Sequence, residues 1–187
     1  MTQQRKIAVL VGSLRKESFT RKAARAITAE LPEGYTAEEI DLSAVGLYNQ
    51  DLDTDDPPAD WAALRKAIKS ADAVLFATPE YNRSVPGMLK NAIDIASRPY
   101  GKSAFDGKPA AVVSVTPGAL GAFGANHHLR QSLVFLNMPV LQQPEVYLSG
   151  VGDWFDDEAT LKSDDTRKFL AEFAQAFVAW IEAVKKG

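Results

Sequence analysis

The 187-residue chain carries 21 Lys+Arg against 24 Asp+Glu, two histidines and no cysteine, with 46% hydrophobic and 24% charged residues. Such a profile fits a single globular domain over residues 1–187, long enough to bury a sizeable core. Without a thiol, disulfides, cysteine-held zinc, iron–sulfur clusters and thiol nucleophiles are excluded, so any redox role must place its electrons on a bound group. The net charge of −3 hides an uneven distribution: residues 1–30 sum to +5, and residues 31–60 to −9. The bases Arg15, Lys16, Arg21, Lys22 and Arg25 alternate with apolar residues over a helical stretch, and the mild acidic balance argues against a nucleic-acid partner.

In chain order, the run Ile7 to Val11 is uninterrupted apolar and ends at Gly12, as a strand buried on both faces does. It is too short for a secretory signal or a bilayer span, so no membrane partner and a cytoplasmic location are expected. A helix over about residues 18–31 follows, with Ala23, Ala24 and Ile27 on one face and Pro32 and Gly34 ending it. A second strand is predicted at Ala37 to Leu42, then an acidic loop to Asp60 in which Pro57 and Pro58 block regular structure.

Trp61 to Ser70 reads as a helix with Leu64 and Ile68 inward, and Ala73 to Ala77 as the third strand. Pro86 opens a helix through about Ser97. Lys108 to Val115 supplies the fourth strand, Ala125 to Leu136 a helix, and Glu145 to Leu148 a short fifth strand. The last helix, Asp164 to Lys185, carries Phe169, Phe173, Phe177, Trp180, Ile181 and Val184 as a core stripe. Asp164 and Asp165 suit the positive end of its dipole, and Lys185 and Lys186 the other.

Alternating strands and helices force parallel pairing with right-handed crossovers. Five strands favour a flavodoxin-like three-layer α/β sandwich of order 2-1-3-4-5, in which ligands bind beyond the carboxyl ends of the strands. Three loops lie there. The first, Gly12 to Thr20, gathers hydroxyls at Ser13, Ser18 and Thr20 with Arg15 at the start of a helix. Free first-turn amides, the helix dipole and a guanidinium suit a phosphate, with Ser18 as plain helix cap the structural alternative. Neither a G-x-G-x-x-G nor a Walker pattern is present.

The second loop, Thr78 to Gly87, sets a polar segment between Pro79 and Pro86, a stiff frame able to present fixed donors and acceptors to a planar heterocycle. Taken alone it reads equally as a rigid turn capped by Ser84. The third loop, Ser114 to Gly124, has three glycines that permit close backbone approach, a weak signal by itself.

Gly12-Ser13-Leu14-Arg15 with Ser18, then Pro79-Glu80-Tyr81-Asn82-x-Ser84-x-Pro86-Gly87-x-Leu89-Lys90-Asn91-Ala92-Ile93-Asp94, resembles the NADPH-dependent FMN reductase family, in its chromate and quinone reductase branch. The likeness extends to His128-Leu129-Arg130-Gln131 and Pro144-Glu145 and covers nearly the whole chain. It implies bound FMN, with NADPH or NADH as donor, and a homodimer or homotetramer. The resemblance further assigns the FMN phosphate to Ser13, Arg15, Ser18, Phe19 and Thr20, the border of the isoalloxazine to Pro79, Glu80, Tyr81 and Asn82, and its other edge to Ser114 and the loop that follows. Many relatives carry Asn where this chain has Thr20, whose hydroxyl and amide can still serve.

No side chain is then required as nucleophile, and no metal is expected: hydride passes from NAD(P)H through the flavin to small-molecule acceptors such as quinones, flavins or chromate. Arg83 is the candidate for favouring anionic acceptors. A flavodoxin-type carrier of single electrons, without NAD(P)H oxidation of its own, is the alternative. Asp51-x-Asp53-x-Asp55 lacks the glycine and glutamate of a calcium loop and reads as a solvated acidic loop. His127 and His128 suit packing or a subunit contact, and Asp153 to Glu158 a partly anchored surface loop.

Overall fold

All five apolar runs pair in parallel in the computed structural model, which describes residues 4–185, so Lys186 lies outside the described residues. Strands β1 (Arg5–Val11), β2 (Tyr35–Glu39), β3 (Ala73–Thr78), β4 (Ala110–Val115) and β5 (Val146–Leu148) form one sheet of order β2-β1-β3-β4-β5. Four helices cross between successive strands, α1 (Phe19–Ala29), α2 (Ala59–Lys69), α3 (Gly87–Ala96) and α4 (Phe123–Phe135), and α5 (Asp164–Lys185) follows the last strand. The flavodoxin-like sandwich expected from the alternation is the architecture found.

Side-chain alternation along each strand splits the core into two layers. Ile7, Val9 and Val11 of β1 join the layer under α1 and α5, whereas Ala8 and Leu10 join the layer under α2, α3 and α4. Both layers are apolar, which is why β1, β3 and β4 read as unbroken hydrophobic runs. The register aligns the carboxyl ends: Val11 sits opposite Ala77, Thr78 opposite Ser114 and Val115 opposite Leu148. The three loops that follow β1, β3 and β4 therefore emerge side by side.

Four sequence expectations need correction. Strand β2 begins at Tyr35 and ends at Glu39 instead of running from Ala37 to Leu42, because as an edge strand its span is set by pairing with β1 from Arg5 onward. Leu42 is buried beyond the ladder, in the second core layer. Helix α4 starts two residues early, at Phe123. In α5 the inward stripe is Leu170, Phe173, Ala174, Phe177 and Ile181, while Phe169 is 40% exposed and Trp180 reaches sideways to donate to the Pro139 carbonyl at 2.8 Å.

The acidic loop before α2 is only partly solvated. Asp53, its side chain 6% exposed, meets Arg65 of α2 at 2.7 Å. Arg65 also donates to the Ile95 carbonyl, and the Tyr48 hydroxyl donates to the second Asp53 oxygen at 3.3 Å. Asn91 of α3 takes the Tyr48 amide and donates to the Gly46 carbonyl, so this loop is pinned to the second core layer by polar bonds. Farther on, Phe155 is buried in the first layer, anchoring the 153–158 segment. Among the described residues no helix is long and apolar enough to cross a membrane.

Candidate active site

A small cavity of about 140 Å³ opens at the carboxyl edge of the sheet, walled by residues from all three loops. The first loop contributes Ser13, Arg15, Ser18, Phe19 and Thr20, the second Pro79, Glu80 and Tyr81, and the third Val115, Thr116 and Pro117. Eight of the residues picked from sequence thus share one wall-to-wall space.

The first loop works as a helix entry. Ser18 is extended (φ −78°, ψ 116°), and its hydroxyl accepts the Arg21 amide at 3.2 Å, capping α1. Capping and a role in the cavity coexist, because the hydroxyl has a proton left to donate. The amides of Phe19 and Thr20 fall in the first turn, where no intrahelical acceptor exists. Ser13, Ser18 and Thr20 are buried, whereas Arg15 is exposed and, among the described residues, has no carboxylate within ion-pair distance. Buried hydroxyls, first-turn amides, the positive helix end and an exposed guanidinium make a donor set for a phosphate monoester.

The second loop is a tight two-residue turn. Tyr81 and Ser84 exchange backbone bonds of 3.1 and 3.0 Å, and the central Asn82 (φ 51°) and Arg83 (φ 63°) are both left-handed, as a type I′ turn requires. Asn82 tolerates this conformation, but Arg83 carries the cost of a Cβ there. Neither residue lines the cavity, although Tyr81, which precedes them in the turn, does. The carboxylate of Glu80 points outward to α4, accepting the Ala125 amide at 3.0 Å and the Arg83 guanidinium at 3.1 Å. Only glycine fits at position 124, since a Cβ there would lie 2.9 Å from both the Arg83 carbonyl and the Glu80 carboxylate.

Ser114 lies beneath the third loop and does not line the cavity. Fully buried, its hydroxyl donates to the Gly121 carbonyl at 2.6 Å and accepts from Asn126, whose carbonyl in turn accepts from Arg130. This chain of bonds fixes the glycine-rich loop from below. Gly121 (φ +59°) passes so near Tyr147 that a Cβ would come within 2.6 Å of that side chain.

The two histidines are exposed on α4 and contact the loops: His128 Nδ1 lies 3.0 Å from the Ser84 hydroxyl, and His127 Nε2 lies 3.0 Å from the Tyr147 hydroxyl. His127 also stacks on the Tyr147 ring, with the Phe123 ring beside it. Burial and a hydrogen bond with Glu145 push the Tyr147 phenol up to about 12.

Sequence reading gave Arg21 no role, and it took the 114–124 loop as a whole without singling out Gly124 or residues 115–117. Arg21 carried no distinguishing signal among five helical bases, because its partners are backbone carbonyls placed only by the folded loop.

Comparison with known proteins points the same way. The family model described as NADPH-dependent FMN reductase matches residues 5–153. A quinone reductase of Pseudomonas putida is 54% identical over 182 residues, 97% of either chain. An NAD(P)H-dependent FMN reductase of Pseudomonas aeruginosa is 40% identical over 185 residues, 99% of this chain and 100% of that one. Among solved structures, a flavoenzyme NAD(P)H:(acceptor) oxidoreductase of Paracoccus denitrificans superposes with a TM-score of 0.89 at 38% identity, covering 96% of this chain and 98% of its own.

Proposed function

Since the chain belongs to the NADPH-dependent FMN reductase family and is an FMN-dependent NAD(P)H oxidoreductase, we propose that its electron acceptors are quinones and that the cavity beyond β1 holds the cofactor phosphate. The observation that carries this reading is the convergence of buried Ser13, Ser18 and Thr20, the exposed Arg15 and the first turn of α1 on one cavity. FMN, when bound, supplies the redox chemistry, taking hydride from NAD(P)H and delivering electrons to the acceptor.

The protein's part is position and electrostatics. Ser13, Ser18 and Thr20 offer hydroxyls, Phe19 and Thr20 offer amides, and Arg15 closes over the phosphate from solvent. Pro79, Glu80, Tyr81 and Asn82 border the ring system through a backbone stiffened by the type I′ turn, and Ser114 acts through the loop it holds. Tyr81, 48% exposed, and Leu14, 51% exposed, leave an apolar rim open to a flat aromatic acceptor. Arg83, exposed in the turn that follows Tyr81 and paired with Glu80, adds a cation suited to anionic acceptors, so free flavins and chromate belong to the proposed range.

The whole of residues 1–187 is taken as one FMN-binding domain acting in the cytoplasm. A homodimer or homotetramer is supported by Phe135 and Tyr100, 80% and 85% exposed in a groove beside α3 and α4. Sedimentation at micromolar concentration should give a species larger than one chain; a monomer of 20.3 kDa would contradict assembly.

The decisive measurement is oxidation of NADH and NADPH by the purified, FMN-loaded protein with benzoquinone, free flavin and chromate as acceptors. Turnover with benzoquinone at rates well above those with oxygen alone is expected. Loaded protein inert to every quinone tried, or turning over only a non-quinone acceptor, would refute the assignment.

A further inference from the structure

Arg21 stands outside the cavity, facing the neighbouring groove along α1, yet each of its three guanidinium nitrogens donates to the first loop or its support. Nη1 donates to the Arg15 carbonyl at 2.8 Å, Nη2 to the Ser13 carbonyl at 3.0 Å, and Nε to Glu39 at 2.6 Å. Glu39, at the end of β2, is held in turn by Arg25 at 3.2 Å. The Arg21 backbone amide meanwhile caps onto Ser18. One residue thus grips the loop at its start and at its end.

Resting on the phosphate assignment above, we propose that Arg21 is a positioning residue that preorganises this loop for the cofactor phosphate. In a trans peptide the N–H points opposite to the preceding carbonyl. With the Ser13 and Arg15 carbonyls held by Arg21, the amides of Leu14 and Lys16 point away from that guanidinium, and under the proposed role they add to those of Phe19 and Thr20 as phosphate donors. The loop from Ser13 to Glu17 lies outside any regular element and has no ladder of its own to set these directions. Glu39 balances the charge of Arg21, so the effect works through geometry and not through a bare positive field.

Arg21→Lys separates these two possibilities, because lysine keeps the charge but lacks the planar fork that reaches two carbonyls and a carboxylate together. FMN and riboflavin, which lacks the phosphate, should be titrated by fluorescence quenching into flavin-free wild type, Arg21→Lys, Glu39→Gln and Arg15→Ala. The expected result for Arg21→Lys is roughly tenfold weaker FMN binding with riboflavin changed less than about twofold, with Glu39→Gln showing a smaller loss of the same selectivity. Arg21→Lys that binds FMN as wild type does, or that loses both flavins equally, would overturn the bracing role. If wild type binds riboflavin as tightly as FMN and Arg15→Ala changes neither, the phosphate assignment itself fails. If Arg15→Ala is selective for FMN and Arg21→Lys is not, that assignment stands and only the role of Arg21 falls.

Discussion

Arg15 and Arg21 lie six positions apart, yet their surroundings give them opposite tasks. Arg15 is exposed at the cavity mouth with no carboxylate within ion-pair distance among the described residues, so its guanidinium is available to a ligand; Arg21 is held by protein partners at all three of its nitrogens. Removing the first should cost one charge-assisted contact, about 1.5–3 kcal/mol of FMN binding, roughly ten- to a hundredfold, with little change in folding stability. Equilibrium titration of Arg15→Ala with FMN, beside its thermal midpoint, checks both halves. The motif on the first loop singles out Arg15 in the sequence, but nothing there shows that Arg21 binds the loop it follows. The difference arises because the loop folds its carbonyls toward residue 21 and leaves residue 15 at the rim.

Among the elements, the link between the second loop and α4 decides the shape of the rim. Glu80 caps the amide of Ala125 and pairs with Arg83, and this is possible only because Gly124 lets the two backbones touch. Gly124→Ala would drive a Cβ against the Arg83 carbonyl and Glu80, so backbone must move; a loss of about 1–3 kcal/mol is expected. Urea denaturation measures it, and a variant as stable as wild type would show that the contact yields without cost. The glycines of 118–124 are visible in the sequence as permissive positions. Which one is obligatory is not, because that depends on the partner surface brought by β3 and on the outward turn of Glu80.

Across the whole molecule, the end of the sheet opposite the cavity is closed by a polar clamp joining first and last elements. Asp72, just before β3, accepts the Lys6 amide at 3.0 Å and meets Lys185 of α5 at 3.1 Å and Arg5 at 3.5 Å. Arg5 also pairs with Glu182 of α5, which accepts from the Tyr35 hydroxyl at 2.8 Å. Burial acts to raise the Asp72 carboxyl, but the Lys6 amide and the nearby Lys185 and Arg5 outweigh it and hold it below the ordinary carboxylate value. A carboxyl depressed in the folded state stabilises the fold at pH above the unfolded value of about 4 and loses that contribution as pH falls through the depressed value. Asp72→Asn should therefore lower the thermal midpoint at neutral pH and narrow its gap to wild type as pH falls through the depressed value. Equal midpoints at neutral pH would show the clamp to be idle.

The sequence by itself determined the alternation of strands and helices, the parallel order 2-1-3-4-5 and the identity of the three loops that wall the cavity. These follow from short-range signals: apolar runs of β-strand length, helical periodicity, and glycine or proline at the breaks. It also determined the cavity residues Ser13, Arg15, Ser18, Phe19, Thr20, Pro79, Glu80 and Tyr81, through recurring motifs on those loops. Only the tertiary structure decided that β2 slides two residues earlier, that Phe169 leaves the core stripe, that Ser114 works beneath its loop, and that Arg21 holds the loop it follows. Each of these depends on a partner distant in sequence or on the direction of a backbone carbonyl, and neither is written in the residue types along the chain.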